Sequence, residues 1–391
     1  MSKRILFLCA DYERGGIPRV TLNLVKALHQ NGKIEPSIFC GNPRGMFREE
    51  MRKFENSKLA HRKCLRALTC FLSKEHGFFK LFATGVKLLR YSLVKMVHWD
   101  WLEWENERIA KKISSLKYDA VVATSEGLPS EWARNVIGSQ KIMWVHNDYA
   151  HECPENRERM RRCVQEFDTI ICVAEHVRKA FITIFPEFTL KTVSLYNIVN
   201  DKEIMTRANE DIYNDAIFDT SEFSILSIGR YNERPKHFSI IPQICSKLVS
   251  KGFKQFHWYL IGSGSPAEKD IIINSIRKYK MEERVILLGE RENPYPYLRQ
   301  CSLFSLTSRY EAYPTVINEA LALGTPIITT NFDGVEELVS TDMATIAPIE
   351  QFSDKIEIIM KNTRNEHLGR EIHDFSGHNQ SVIKKFEQII R

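Results

Sequence analysis

The chain alternates short, unbroken apolar runs with longer stretches in which apolar residues recur every three or four positions. Ile5-Leu6-Phe7-Leu8-Cys9 opens the series and is followed by Gly15-Gly16-Ile17-Pro18. Pro18 suits a first helical turn, and Val20, Leu22, Leu24, Val25 and Leu28 then supply an apolar helical face that Asn31-Gly32 ends. Further strands are predicted at 120–123, 142–145, 169–173 and 192–195, with helical patterns among them. Unbroken runs of this kind suit strands buried on both faces, so the first half reads as a parallel α/β sheet.

The second half repeats the rhythm, with strands predicted at 224–228, 258–261, 285–288, 303–306 and 327–329. Between the halves, 200–221 is polar, acidic and weakly periodic, and the domain junction is expected there. The pattern therefore predicts an α/β protein with one domain over 1–200 and a second over 201–375, ending in an amphipathic helix within 376–391. Two such sheets facing each other would leave a cleft at the carboxyl ends of their strands, where open parallel sheets bind ligands.

Residues 52–95 break the rhythm. They carry eleven Lys/Arg against two acidic residues, interleaved with Leu65, Leu68, Phe71, Phe78, Phe79, Leu81, Phe82 and Leu88. Two readings are open: a stretch lying on an anionic membrane surface, or a helical insertion packing its apolar face on the first sheet.

Composition narrows the classes. At 391 residues, 43% of them hydrophobic, the chain can bury two sizeable cores, which excludes disordered, collagen-like and mini-protein architectures. No apolar run nears the roughly 20 residues of a membrane span, and the N-terminal apolar core is too short for a signal peptide. A cytoplasmic location is expected. Nine scattered cysteines, without CxxC or Cys/His clusters, point to reduced thiols, not to zinc or disulfides. The net charge of +6 is more than accounted for by 52–95, which argues for a local anionic surface and against a nucleic-acid partner.

Candidate chemistry concentrates in Thr307-Ser308-Arg309-Tyr310-Glu311-Ala312-Tyr313-Pro314-Thr315-Val316-Ile317-Asn318-Glu319-Ala320. Pro314 fits a first helical position, which puts Glu311 in the loop above the helix and Glu319 in its second turn. The backbone N–H groups of Thr315 and Val316 at that helix start, with the positive end of its dipole, suit a phosphate. The plain alternative makes Glu311 a cap and Glu319 a solvated surface residue. A second strand, 224–228, runs into Gly229-Arg230-Tyr231-Asn232-Glu233-Arg234-Pro235-Lys236, setting Arg230 and Lys236 in a loop. Two cations meeting a helix N-terminus would neutralise a diphosphate and stabilise it as a leaving group.

The pair Glu311/Glu319, with seven residues between, resembles the Glu-x7-Glu motif of retaining glycosyltransferases of the GT-B fold, in the large group known as family 4. Gly229-Arg230 with Lys236, Ile261-Gly262-Ser263-Gly264, Asn293-Pro294-Tyr295-Pro296-Tyr297 and Ala320-Leu321-Ala322-Leu323-Gly324-Thr325-Pro326 resemble its donor-domain landmarks in order, over about 223–340. Gly15-Gly16, Trp144-Val145-His146-Asn147-Asp148-Tyr149 and Val173-Ala174-Glu175 resemble it more loosely.

The resemblance implies a GT-B fold with two Rossmann-like parallel-sheet domains, the first binding the acceptor and the second a nucleotide-diphosphate sugar. It also implies a last helix that crosses back to the N-terminal domain. By position, Arg230 and Lys236 would hold the diphosphate, Glu319 the ribose and Glu311 the sugar hydroxyls. Thr315 and Val316 would offer backbone N–H groups, Gly16 would admit the phosphate closely, and His146 would lie near the transferred sugar. The implied reaction retains anomeric configuration, needs no metal and no separate cofactor, and matches the absence of an Asp-x-Asp motif from the sequence. The acceptor would be a saccharide or a lipid-linked saccharide in surface-polysaccharide synthesis, at or near the inner membrane face. Two departures stand out: Ala312 follows the first Glu where the family commonly has Gly, and the interval from Arg230 to Lys236 is one residue longer than the family's usual one, with Pro235 just before the lysine, leaving Arg234 or Lys236 for the second cationic role.

Two other readings compete. A nicotinamide dehydrogenase would use a doubly wound sheet, yet the first strand lacks GxGxxG and Gly262-Ser263-Gly264 reaches only the weaker form ending at Ala267. A GT-B protein without catalysis could serve as a nucleotide-sugar sensor or a partner subunit.

Overall fold

The apolar runs assemble into two separate sheets of six strands, all parallel, in a computed structural model that describes residues 2–12, 15–59, 101–212, 218–219, 221–363 and 371–390. The first sheet has the order β2-β1-β3-β4-β5-β6, with β1 Lys3–Asp11, β2 Ile34–Asn42, β3 Ala120–Ala123, β4 Gln140–Val145, β5 Thr169–Cys172 and β6 Thr192–Ser194. The second has the order β12-β11-β10-β7-β8-β9, with β7 Phe223–Ile228, β8 Phe256–Ile261, β9 Val285–Gly289, β10 Leu303–Leu306, β11 Ile327–Thr329 and β12 Thr345–Ile346. Central strands are buried on both faces, as their unbroken sequences require: Ile5, Leu6, Phe7 and Leu8 are fully buried, and so are Trp258, Tyr259 and Leu260.

Strand β2 is absent from the sequence-based expectation. Its run, Ile-Glu-Pro-Ser-Ile-Phe-Cys-Gly-Asn, contains Pro36, which argues against a strand unless the strand lies at an edge. It does lie at the edge of its sheet. The Ile38 N–H, two residues on and so pointing the same way, leaves the ladder and donates to the Phe54 carbonyl at 2.8 Å. The N–H that Pro36 lacks would thus face outward, and the ladder to β1 loses nothing. Strand β12, two residues long, is likewise too short to read from a pattern.

The helix Gly16–Asn31 ends where expected, with Gly32 in the left-handed conformation and its N–H donating to the His29 carbonyl. The polar stretch after 200 is not featureless. The Asn200 side chain caps the helix Asp201–Arg207 by accepting the Glu203 N–H, and Ile204 is buried in the second core. The chain divides into two compact units, Met1–Ile198 with His378–Arg391, and Val199–Gly377. In the second unit one core packs on each face of the sheet. Of the basic stretch 52–95, residues 60–95 lie outside the described residues.

The helix Ser376–Ile389 returns the chain to the first unit. Its buried Val382 and Phe386 face the first sheet, where the Phe386 ring lies 6.0 Å from Phe7 and 6.5 Å from Trp144. Polar contacts fix its end: the Ile390 carbonyl accepts from Lys3 Nζ at 2.8 Å, the Ile389 carbonyl accepts from Gln140 Nε2 at 2.9 Å, and Glu387 pairs with Lys33 at 2.9 Å. Among the described residues no helix is long and apolar enough to cross a membrane. Because Phe386 is fully buried between two aromatic neighbours, Phe386→Ala is expected to destabilise the protein by about 3–5 kcal/mol, read as a lowered unfolding midpoint in denaturant.

Candidate active site

All strands of a parallel sheet point the same way, so the loops leaving β7, β8 and β10 emerge at one edge of the second sheet. There the β7 and β8 exits touch backbone to backbone: the Gly229 N–H donates to the Ile261 carbonyl at 3.0 Å and the Tyr231 N–H to the Ser263 carbonyl at 2.7 Å. A Cβ on Gly262 would stand 1.9 Å from the Gly229 oxygen, and one on Gly264 would stand 2.3 Å from the Tyr231 oxygen. Gly262 also holds φ 152°, a conformation L side chains rarely adopt. The glycines at 262 and 264 therefore answer to contact between two loops.

Beyond Arg230 the chain makes a single helical turn, Glu233–Lys236, closed by His237 with φ 53°. Lys236 thus sits at the end of a helical turn and not in the open loop expected from sequence. This turn is clamped from β10. The Arg309 N–H donates to the Pro235 carbonyl at 2.7 Å, and the Arg309 guanidinium donates to the carbonyls of Glu233 at 2.5 Å and Arg234 at 3.1 Å. Thr307 Oγ1 donates to the Lys236 carbonyl at 2.9 Å. A cation on the carbonyl end of a helical turn is electrostatically favoured, and here it fixes one loop against another.

The clamp brings Lys236 to Glu311. Lys236 Nζ donates to Glu311 Oε1 at 2.5 Å, and Ser308 Oγ donates to the same oxygen at 2.6 Å. The two charged side chains are 18% and 12% exposed, so their attraction is much less screened than that of a surface pair. The Lys236 chain passes Gly229, where a Cβ would come within 3.3 Å of Lys236 Cε. Arg234 and Arg230 are both exposed, and Arg230 makes no ion pair with a described residue. Of the two candidates for the second cation, Lys236 is the one held against the first glutamate.

The helix Thr315–Ala322 follows. Pro314 is the flanking residue, extended at φ −72° and ψ 102°, so Thr315 and not Pro314 begins the helix. No side chain caps this end and its first turn carries no acid, which leaves the N–H groups of Thr315 and Val316 without intrahelical acceptors. Glu319, half-buried, lies in the second turn. Lys236, Glu311, Thr315, Val316, Glu319 and Arg230 thus all belong to the edge of the second sheet where β7 and β10 end. Gly16 and His146 belong to the other unit, just after β1 and β4. Gly16 begins its helix, and a Cβ there would meet nothing within 4 Å. The His146 ring stacks on Trp144, centroids 5.8 Å apart and planes 13° apart. Burial pushes the imidazole down to about 4, against a smaller upward effect from a hydrogen bond with the Thr124 backbone.

Ser308 and Arg309 are the residues that sequence reading missed. Both stand in the singled-out stretch: the Ser308 partner, Glu311, is only three residues on, whereas Arg309 reaches the carbonyls of Glu233 and Arg234, more than seventy positions away, only because the fold brings the two loops together. Among the described residues no group of His, Cys, Asp and Glu is arranged to hold a metal ion.

Residues 222–362 match the family model of glycosyl transferases group 1. The chain is 25% identical over 226 residues to the N-acetylgalactosamine-N,N'-diacetylbacillosaminyl-diphospho-undecaprenol 4-alpha-N-acetylgalactosaminyltransferase of Campylobacter jejuni, covering 58% of each chain. It is 30% identical over 121 residues to the O-antigen biosynthesis glycosyltransferase WclY of Escherichia coli, covering 31% of this chain and 34% of that one. The matches span about half the length of these curated relatives, or less. In three dimensions the chain resembles a glycosyltransferase from Rickettsia africae, with a TM-score of 0.72, 15% identity and coverage of 100% of this chain and 98% of that one. It also resembles HepE of Anabaena in complex with UDP-glucose, with a TM-score of 0.69, 15% identity and coverage of 98% and 99%. The fold is that of the GT-B glycosyltransferases.

A neutral imidazole at position 146 has a measurable consequence. NMR titration is expected to place the His146 midpoint near 4, below an ordinary 6.5. The unfolded chain takes up this proton first, so the contribution to stability is full above about 6.5 and is lost as pH falls toward 4.

Proposed function

We propose that this protein is a retaining glycosyltransferase that moves a sugar from a nucleotide-diphosphate sugar to a lipid-linked or saccharide acceptor in cell-surface polysaccharide synthesis. The observation that carries this reading is the Lys236–Glu311 pair beside the uncapped start of the helix Thr315–Ala322, within the residues that match the glycosyl transferases group 1 model. One sheet edge there offers cations and backbone donors for a diphosphate, and carboxylates for hydroxyl groups. Two relatives support the choice of chemistry: HepE, described in complex with UDP-glucose, and the Campylobacter jejuni enzyme, whose name contains a diphospho-undecaprenol.

In this reading Lys236, Arg230 and the N–H groups of Thr315 and Val316 bind the two phosphates and stabilise the charge that grows as the sugar departs. Glu311 accepts hydrogen bonds from the sugar hydroxyls, with Ser308 holding the carboxylate in place. Glu319 accepts from the ribose, and Gly16 admits the phosphate to the first loop. His146, neutral above about pH 5, acts as a hydrogen-bonding group near the transferred sugar and not as a cation. The leaving phosphate oxygen takes the proton of the acceptor hydroxyl, which adds to the same face of the anomeric carbon. The reaction uses no metal and no cofactor beyond the donor substrate.

The same reading gives residues 52–95 a use. Eleven Lys/Arg among Phe and Leu would hold the acceptor-binding domain at the inner, anionic membrane face, each nearby cation contributing roughly 1 kcal/mol. Wild-type protein is expected to sediment with anionic vesicles, and charge reversal across 52–95 to abolish this. Equal sedimentation of both would remove the membrane role.

Calorimetric binding against UDP, GDP, ADP and dTDP sugars identifies the donor. With it, Lys236→Ala and Glu311→Ala are each expected to lower turnover by about 10²–10³-fold. Transfer within a few-fold of wild type by both variants would refute the site assignment.

A further inference from the structure

We infer that Glu126 is a positioning residue for this reaction: its carboxylate replaces the missing ladder partner of the segment after β4 and so fixes the backbone that carries His146. The inference rests on the glycosyltransferase reading for its consequence in turnover. The geometry at Glu126 stands without it.

Strands β3 and β4 are neighbours, paired from Ala120 with Gln140 to Ala123 with Met143. Strand β3 ends three residues before Glu126, while β4 runs on to Val145. The chain at 146–147 therefore has run past its neighbour's last ladder residue. Glu126 fills the gap: its Oε1 accepts the His146 N–H at 3.2 Å and the Asn147 N–H at 3.3 Å. Thr124 completes the arrangement. Its own N–H and hydroxyl both bond the Leu8 carbonyl on β1, at 3.1 and 2.8 Å, and its backbone is the hydrogen-bond partner of the His146 ring. The imidazole is held through its ring by Thr124, through its face by Trp144, and through its backbone by Glu126.

Holding two amides with a carboxylate makes the hold depend on charge, because hydrogen bonds to an ionised acceptor are roughly twice as strong. Burial pushes the Glu126 carboxyl up to about 7, with the negative charge of Glu152 adding to it and the amides of residues 126, 146 and 147 opposing. Around it stand Tyr149, Cys163 on the helix Pro154–Val164, and Cys172 on β5, each with its own ionisation displaced upward by burial and so uncharged. Arg159 acts on Tyr149 and Cys163, and Arg134 on Cys163. The titrating group near neutrality is thus Glu126, while His146 titrates near 4. An acid limb near pH 7 in turnover would look like a histidine and belong to a glutamate.

The test labels His and Asn with ¹⁵N in the full chain and follows the amide resonances of His146 and Asn147 from pH 5 to 9. Both are expected to titrate together with a midpoint near 7 in wild type and to lose that transition in Glu126→Gln, which keeps an acceptor oxygen without the charge. No transition in wild type, or the same transition in Glu126→Gln, overturns the proposal, whether or not any sugar is transferred. With a donor in hand, Glu126→Gln is expected to lower kcat about tenfold at pH 8, the equivalent of one weakened charge-assisted bond, with donor KM unchanged and the limb near 7 gone. An unchanged limb in Glu126→Gln overturns it as well. Failure of wild type to transfer sugar from any donor removes the glycosyltransferase reading and leaves the amide titration to decide on Glu126.

Discussion

Parallel pairing is the constraint on which the rest of this molecule depends. When every strand of a sheet runs the same way, all carboxyl ends come out at one edge, and the loops that leave them must share that space. The second unit meets this demand by shedding side chains where backbones meet, at Gly262 and Gly264, and by tying the β7 and β10 exits together through Arg309 and Thr307. Chemistry then follows from geometry. Lys236 and Glu311, seventy-five residues apart in sequence, become an ion pair because the two loops have nowhere else to go.

Both units handle charge near a sheet edge by giving it a local partner. In the second, a lysine and a hydroxyl share one carboxylate oxygen, and an arginine covers the carbonyls of a helical turn. In the first, a carboxylate rests on two backbone amides and an imidazole stays neutral because burial disfavours its cation. A half-buried charge left without such a partner would shift its protonation instead. Glu126 lies between these cases: its amides oppose a burial effect that they do not cancel.

The strands of both sheets were legible because strands buried on both faces must be apolar throughout, as at 120–123 and 303–306, where expectation and structure agree residue for residue. The pattern failed at the edge strand β2, where Glu35 and Pro36 interrupt the apolar run, and at the two-residue β12. Local chemistry was legible in the same degree. The start of the helix after Pro314 was correct to one residue, and the returning helix was visible in Val382 and Phe386, although only the fold supplies Phe7 and Trp144 as their partners.

The sequence by itself determined the alternation of strand and helix, the parallel class, and the residue types gathered around 229–236 and 307–319, since each of these depends on neighbours within a turn or two of chain. Tertiary structure alone decided which residues act together. That Lys236 meets Glu311, that Arg309 closes the turn before it, and that Glu126 holds the amides of His146 and Asn147 depend on strand order and on where each strand stops. Neither is written in any local pattern, because contact between loops is set by the sheet that carries them.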